Sequence, residues 1–297
     1  MTGTWIERPE GGSRNALRLL TAIALSCGRA PARVVLYAVA LYFVLRRGPE
    51  RRASRAFLGR VLARRATAFD VYRHVLCFSR VTLDRIFLLR QGIDRFEIEK
   101  SGLEDVHAML ALGRGVLLFG AHFGSYEAMR ALSLHRPDLQ FRTVIDLGQA
   151  PAMSQLLGSL NPSLAATIIN ARQPGMAVAL AIRDALHQGA AVTLLVDRAR
   201  PEGRTMTADF LGSPAPFPTA PWELASALAV PVVLCFGTYR GGDRYHVQFE
   251  VLADRIVKER DGGPPLSDWI RKFADRLAAQ ATIAPFNWFN FYDFWSG

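Results

Sequence analysis

The chain has 297 residues, of which 50% are hydrophobic, and a formal net charge of +10. This length is ample for one large α/β domain, or two closely joined ones, around a full hydrophobic core. Cys27, Cys77 and Cys235 lie far apart and form no Cys/His ligand pattern, which excludes a disulfide framework and a structural zinc site. The basic balance indicates an anionic partner: nucleic acid, an acidic protein or an anionic membrane.

Nucleic acid fits the sequence poorly as that partner. The chain has no zinc finger, RNP-like strand or helix-turn-helix signal, and its one basic cluster lies beside an apolar helix. It also lacks the GxGxxG and GxxxxGK[ST] phosphate loops. Ser125 does not lie in a GxSxG elbow, which argues against a serine hydrolase. The charge therefore favours a membrane or an acidic protein.

The N-terminal part divides into a polar, Gly-rich segment, 1–14, predicted to be flexible, and a membrane-associating helix over 15–50. Val34–Leu45 carries no charge, but it is shorter than the roughly 20 apolar residues of a membrane span. This pattern favours an interfacial helix or short anchor whose basic flank rests on anionic lipid. The alternative is a buried helix of a soluble protein. The flank consists of Arg46, Arg47, Arg51, Arg52 and Arg55.

Residues 51–297 are predicted to form one domain, in which a helical pattern over Ala53–Leu89 precedes alternating strands and helices. We expect an α/β fold with a mostly parallel sheet flanked by helices and a hairpin made by its last two strands. The predicted strands are Phe96–Lys100, Val116–Gly120, Phe141–Ile145, Ala166–Ile169, Ala191–Val196, Val230–Thr238 and Tyr245–Val251. The predicted helices are Leu103–Leu112, Tyr126–Leu134, Ala152–Leu160, Gly175–Gln188, Pro221–Ala229 and Ser267–Thr282.

The most informative motif, AHFGSYE, lies between the strand Val116–Gly120 and the helix Tyr126–Leu134. It places His122 and Glu127 five residues apart. Ligands bind at the carboxyl ends of strands in α/β sheets, and a His held by a carboxylate can deprotonate a hydroxyl group. Gly124 relaxes the backbone so that His122 can fold back toward Glu127. The alternative is a partly buried His beside a Glu that compensates the helix dipole.

Two further residues follow predicted strands. Arg172 lies in NARQPG, between a strand and a helix, where it can bind an anionic group or stabilise an oxyanion. Without further context, the alternative of a solvated loop residue is favoured. Asp197 directly follows the apolar strand Ala190–Val196, where a carboxylate is unusual unless it is paired. Arg198 and Arg200 are the adjacent candidate partners.

Two segments near the C-terminus allow two interpretations each. Arg204–Thr219 is a Gly/Pro-rich loop with apolar residues, which suits a pocket rim or an acyl-chain channel, or else a long connector. Pro285–Trp295 is a dense aromatic run. It either lies at the membrane–water boundary or packs as a tail over the core.

Together these features resemble the lysophospholipid acyltransferase superfamily and, within it, the late acyltransferases of lipid A biosynthesis. The resemblance covers most of the chain. It rests on the basic-flanked apolar helix, on His122 and Glu127, which match the HxxxxD/E motif, and on Arg172 ahead of a strand that ends at Asp197. The segment from Asp209, DFLGSPA, is similar to the family's FFGxPA. The tail NWFNFYDFW more closely resembles homologues associated with aryl polyene pathways.

The resemblance implies a glycerol-phosphate-acyltransferase-like fold and an enzyme on the cytoplasmic face of the bacterial inner membrane. The reaction would move a fatty acyl group from acyl carrier protein, or coenzyme A, to a hydroxyl of a lipid A-like or other pathway lipid. His122 is then the general base and Glu127 orients it. Arg172, or backbone N–H groups near Gly124 and Ser125, stabilise the oxyanion, and Asp197 supports the site.

The same resemblance implies no metal and no bound organic cofactor. Its implied partners are the carrier protein, the lipid acceptor and an anionic membrane surface, without nucleic acid. Two other functions remain open at this stage. One is a non-catalytic lipid-binding or assembly protein with the same fold, and the other is a thioester hydrolase.

Overall fold

The computed structural model describes residues 14–131, 140–148, 158, 161–162, 166–200, 202–257 and 262–295. The flexible segment predicted over 1–14 therefore lies outside the described residues, apart from Arg14. Most of the helix predicted at Ala152–Leu160 also lies outside them, as does the end of the helix predicted to begin at Tyr126.

The described chain opens with helices rather than with one membrane-associating helix over 15–50. The positive φ of Gly28, 89°, separates the first two. A capping box starts the fourth: the Thr67 side chain accepts from the Asp70 N–H at 3.1 Å, and the Asp70 carboxylate accepts from the Thr67 N–H at 2.8 Å. The helices are α1 (Arg14–Cys27), α2 (Arg29–Arg46), α3 (Gly48–Val61) and α4 (Ala68–Gln91).

Helix α2 is apolar on two faces. One face packs against α4 through residues spaced four apart, Ala32, Leu36, Ala40 and Val44, all buried. Within the described ranges, no helix combines the length and apolarity needed to cross a membrane. The opposite face of α2 is exposed and carries Val34, Tyr37, Leu41, Tyr42 and Leu45.

The strands lie close to their predicted positions. Seven of those in the described residues form one sheet with the order β1-β9-β8-β2-β5-β3-β4, in which only β8 and β9 are antiparallel neighbours. The mostly parallel sheet and the hairpin are therefore confirmed. The strands are β1 (Glu97–Ser101), β2 (Val116–Gly120), β3 (Phe141–Ile145), β4 (Ile168–Asn170), β5 (Ala191–Leu195), β6 (Thr205–Phe210), β7 (Ser213–Pro218), β8 (Val232–Gly241) and β9 (Arg244–Ala253).

Helices connect these strands, as the α/β prediction requires. Strand β2 lies between β5 and β8, and all of its residues are buried. The AHFGSYE motif thus follows one of the most deeply buried strands of the sheet. The connecting helices are α5 (Leu103–Ala111), α6 (Tyr126–Ala131), α7 (Gly175–His187), α8 (Ala220–Leu228) and α9 (Leu266–Ile283).

The segment predicted as a Gly/Pro-rich loop with exposed apolar residues is instead the antiparallel hairpin β6–β7. Leu211 and Gly212 make its two-residue turn, both with positive φ, which is the geometry that short hairpins require. Three prolines in β7 hid the strand, since proline lacks the N–H that a sheet uses. The three prolines occupy alternate positions of β7, so the missing N–H groups all lie on one edge of that strand. Phe210 and Phe217 are buried rather than exposed.

The C-terminal aromatic run packs over the core, which is the second of its two interpretations. Trp288 is fully buried and Phe294 nearly so. Asn287 anchors the run to β8: its side-chain oxygen accepts from the Tyr239 N–H at 2.8 Å, and its amide donates to the Tyr239 carbonyl at 3.2 Å. The Asn287 side-chain amide thus forms the two hydrogen bonds to Tyr239 that the backbone of a neighbouring strand would otherwise form.

A buried ion pair joins α2 to α4. Arg29 donates from Nε and Nη2 to the two oxygens of Asp84, at 2.7 and 2.8 Å, and Asp84 is fully buried. The Tyr245 hydroxyl of β9 donates to the same carboxylate at 2.8 Å. This bidentate geometry ties the N-terminal helices to the sheet.

Replacing Arg29 should therefore destabilise the protein strongly. Arg29→Ala leaves the buried Asp84 charge without its cation, and such changes cost about 3–5 kcal/mol. The free energy of unfolding, measured by denaturant titration in detergent, tests this. Arg240→Ala is the control, because its pair with Glu99 is exposed and should contribute less than about 1 kcal/mol. Equal losses in the two variants would contradict the prediction.

Candidate active site

The register of two parallel strands builds the centre of the site. Strands β2 and β5 pair so that Gly120 lies opposite Leu195. His122 and Asp197 each follow two residues further on, so the two strand ends bring their side chains together. His122 Nδ1 lies 2.8 Å from Asp197 Oδ1. Asp197 is thus paired, as predicted, but with His122 rather than with an adjacent arginine.

Asp197 is fully buried and accepts three hydrogen bonds. Besides the ring of His122, the His122 backbone N–H donates to Oδ2 at 3.1 Å, and the indole N–H of Trp288 donates to Oδ2 at 3.0 Å. Burial works against the charge of Asp197. The charge and hydrogen bond of His122, the charge of Arg198 and the Trp288 bond outweigh it and hold the pKa of Asp197 below its usual value. The carboxylate is therefore ionised and can only accept.

The ionised carboxylate decides the state of the His122 ring. Because Asp197 only accepts, Nδ1 must carry the hydrogen, which leaves a lone pair on Nε2. Burial, followed by the charge of Arg198, lowers the pKa of His122, against the opposing effect of Asp197. The ring is therefore neutral at neutral pH. Its side chain remains 32% exposed and lines the adjoining cavity.

The backbone of the motif is held by neighbouring segments. The Gly124 N–H donates to the Asn287 carbonyl at 2.8 Å, and the Ser125 N–H donates to the Gly237 carbonyl at 2.6 Å. Ser125 is buried, and its hydroxyl accepts from the Ala128 N–H at 3.1 Å. Both N–H groups already donate to carbonyl oxygens within the protein, so this geometry does not support the oxyanion role expected for them. Gly124 and Ser125 instead fix the loop that carries His122.

Glu127 lies near the site but faces another partner. Its Oε1 is 2.6 Å from Nε of Arg85, and the residue is 8% exposed. Glu127 was expected to orient His122, but in this geometry it pairs with Arg85, and Asp197 holds the His122 ring. Helix α4 places the guanidinium of Arg85 at the start of α6, where it forms an ion pair with the Glu127 carboxylate.

Arg172 follows β4 at the same edge of the sheet, outside the group around His122. Its side chain is 65% exposed and lies 3.7 Å from Asp146, which follows β3. Arg200 lies 3.9 Å from the other oxygen of Asp146 and donates to the Ala171 carbonyl. Arg172 thus belongs to an exposed basic rim, and its substrate-binding role stays a prediction.

A cavity of about 290 Å³ adjoins the His122 ring. Helices α2, α3 and α4, the loops after β2 and β5, and the C-terminal run all contribute to its wall. Its polar lining residues are Glu50, Arg85, His122 and Arg198. Its aromatic lining residues are Phe43, Phe78, Phe123, Tyr126, Phe289, Phe291 and Tyr292. A wall of this kind suits a ligand with a long apolar part and one polar group.

Three residues of this site were not among the predicted ones. Arg85 lies in α4, far ahead of the motif, and its position gives no sequence signal. Arg198 was considered only as a partner of Asp197, whereas it lies over Tyr292, 5.4 Å from the ring centre, and donates to the Phe289 carbonyl at 2.6 Å. Trp288 belongs to an aromatic run that holds a second tryptophan, Trp295, and nothing in the sequence distinguishes their indole N–H groups. Within the described ranges, no three His, Cys, Asp or Glu side chains form a group that could hold a metal ion.

Residues 89–296 match the model of the bacterial lipid A biosynthesis acyltransferase family. The chain belongs to this family and is an acyltransferase, which confirms the resemblance to the acyltransferases of lipid A biosynthesis. Members of the family are typically associated with bacterial membranes. No curated protein matches this chain.

Gly124 should tolerate no side chain. Its φ is +58°, and a Cβ there would overlap the Gly237 carbonyl oxygen. Gly113 is the matched control, because its φ is +71° and nothing lies within 4 Å of its Cβ position. We expect Gly113→Ala to cost about 1–2 kcal/mol from φ alone, and Gly124→Ala to cost clearly more. Thermal unfolding compares the two, and equal losses would count against this account of the loop.

Proposed function

We propose that this protein transfers a fatty acyl group from a carrier thioester to a hydroxyl of a lipid A-like or other glycolipid acceptor. The observation that carries the proposal is the 2.8 Å contact of buried Asp197 with His122 Nδ1, beside a cavity with aromatic walls. Family membership supports the reaction type. The proposed location is the cytoplasmic face of the bacterial inner membrane.

In this mechanism Nε2 of His122 takes the proton of the acceptor hydroxyl. The resulting alkoxide oxygen attacks the thioester carbonyl carbon, and a tetrahedral oxyanion forms. When the oxyanion collapses, the C–S bond breaks and the carrier thiolate takes the proton back from Nε2. Asp197 stabilises the charged ring between the two transfers, as the acid of a catalytic triad does. The products are an acylated lipid and the free carrier thiol.

The oxyanion needs a cation, because the N–H groups of the motif already donate within the protein. Arg198 and Arg85 line the cavity together with His122. A guanidinium in a partly dry site stabilises a developing negative charge strongly. We assign this role to Arg198, which follows Asp197 in the chain. Glu127 then acts through Arg85, whose guanidinium it holds beside the cavity.

The carrier docks on the exposed basic rim in this proposal. Arg172 and Arg200 are 65% and 54% exposed. They lie at the edge of the sheet where the ends of β2 and β5 carry His122 and Asp197, the catalytic dyad of this proposal. An acidic acyl carrier protein complements that rim, and the phosphate groups of coenzyme A offer the same chemistry. Arg172 thus contributes to substrate binding through the carrier rather than through the oxyanion.

The acceptor enters from an anionic membrane surface in this proposal. The exposed face of α2 is apolar, and the arginines from Arg46 to Arg55 flank it. Such a helix lies in the interface of a bilayer, with its apolar face among the acyl chains. Phe43 of α2 and Glu50 of α3 line the cavity itself, so a lipid held at this surface lies close to the dyad. The tail's resemblance to aryl polyene homologues leaves the acceptor as either lipid A or a related pathway lipid.

Removing the base should abolish acyl transfer. We expect His122→Ala and Asp197→Asn to lower turnover by about 10²–10⁴-fold, because proton transfer by a positioned base contributes that much. The assay mixes radiolabelled acyl carrier protein thioester with purified protein and a bacterial lipid extract. His187→Ala, exposed on α7, is the control and should keep wild-type turnover.

The products distinguish this function from its alternatives. Label in a lipid with the wild type, and not with His122→Ala, supports acyl transfer, and mass spectrometry of that lipid identifies the acceptor. Label released only as free acid indicates a thioester hydrolase. Lipid binding without turnover of either donor, carrier protein or coenzyme A thioester, indicates a non-catalytic protein.

The pH profile tests the base separately. His122 acts only when unprotonated, and burial lowers its pKa from the ordinary value of 6.5, so kcat/KM should fall only below pH 6.5. Asp197 raises that pKa, so the residual activity of Asp197→Asn should extend to lower pH than that of the wild type. An acidic limb above pH 6.5, or one that Asp197→Asn leaves in place, would argue against His122 as the base.

A further inference from the structure

The C-terminal run lies directly along the loop that carries the dyad. The Phe289 N–H donates to the His122 carbonyl at 2.8 Å, and the Asn287 carbonyl accepts from the Gly124 N–H at 2.8 Å. Phe123 and Trp288 form an antiparallel bridge between these two bonds. The backbone of 287–289 thus pairs with the motif like a short added strand.

One side chain of this run reaches the dyad itself. The indole N–H of Trp288 donates to Asp197 Oδ2 at 3.0 Å, and the His122 backbone N–H shares that oxygen at 3.1 Å. Oδ1 is thereby left for the ring of His122. Without the indole, the His122 backbone N–H would be the one donor left to Oδ2 among the described residues, and the carboxylate would be freer to rotate about its own bond.

The Trp288 ring is itself held rigidly. It is fully buried among Phe57, Phe210 and Phe294, with ring centres 4.9 to 5.0 Å away. His74 lies below it: burial lowers the pKa of His74 to about 4, so the ring is neutral. Its Nε2–H donates to the Trp288 carbonyl at 2.9 Å, and its Nδ1 accepts from the Ser54 hydroxyl at 2.8 Å. The backbone of Trp288 is therefore fixed from α3 and α4, and its ring is held by rings of α3, β6 and the C-terminal run.

We propose that Trp288 is a positioning residue of acyl transfer, whose indole N–H holds the Asp197 carboxylate in the orientation that binds and tunes His122. The proposal rests on the proposed function, because it assigns His122 as the base. A donor on Oδ2 withdraws charge from the carboxylate, which would otherwise attract the ring proton more strongly. Trp288 therefore keeps His122 less basic and correctly aimed.

Other charges face His122 from the surrounding elements and remain in place when Trp288 is changed. Arg198 follows Asp197, and Arg85 of α4 pairs with Glu127 of α6. Glu50 of α3 lines the cavity. A change in the His122 pKa on removing the indole N–H is therefore attributable to Asp197, provided that the fold is kept.

The test compares two buried tryptophans. Trp288→Phe removes the N–H that binds Asp197. Trp222→Phe removes an equally buried indole, which packs on Phe119 and Phe273 and whose Nε1 has no hydrogen-bond partner among the residues that the structure describes. The pKa of His122 is measured by NMR titration of the full-length protein in detergent with labelled histidines, and His122→Ala identifies the signal. This readout needs no substrate.

We expect the His122 pKa to rise in Trp288→Phe and to stay at the wild-type value in Trp222→Phe. In the transfer assay, Trp288→Phe should lower kcat by about 10- to 100-fold, the range for a hydrogen bond to a charged group, with little change in KM for the carrier thioester. Incorporating benzothienylalanine at position 288 keeps the ring shape without the N–H. It should reproduce both effects where Trp288→Phe fails to fold.

Equal pKa values in the two tryptophan variants would overturn the proposal, as would wild-type kcat with benzothienylalanine at position 288. A pKa shift without acyl transfer by the wild-type protein would support the positioning contact and reject the proposed function. The two hypotheses therefore fail in different measurements.

Discussion

The site depends on one buried charge, the carboxylate of Asp197. An isolated carboxylate in a protein interior is costly, and this one is stable because three donors converge on it. Those donors come from two segments that are remote in sequence, the loop after β2 and the C-terminal run. The charge therefore requires that β2 and β5 pair in register and that the tail closes over them.

The same requirement explains how the helices and the tail share the cavity. Residues 287–289 pair with the motif on one side, while His74 and Ser54 hold Trp288 from the other. Phe78 of α4 packs edge-on against Phe289 and Phe291. A disturbance of α3 or α4 therefore reaches the dyad through packed aromatic rings. In the proposed function, these helices present the enzyme to lipid and also form the cavity wall.

Asp197 and Glu127 have different partners in the site. Asp197 serves the ring that becomes charged during the reaction, and Glu127 serves Arg85. If Glu127 instead turned to His122, Arg85 would keep a mostly buried guanidinium without its ion pair, which is unfavourable in a partly dry site. The division keeps each charge compensated and leaves Nε2 of His122 open to substrate.

The sequence by itself determined the α/β class, the parallel strands, the β8–β9 hairpin and the position of His122 at a strand end. These features depend on local periodicity along the chain. Only the tertiary structure decided which carboxylate holds His122, because that choice depends on the register of β2 and β5 and on where α4 places Arg85. The β6–β7 hairpin escaped the sequence analysis because three prolines hide strand β7. Trp288 did so because the run contains a second indole N–H, that of Trp295, and only packing decides which of the two reaches Asp197.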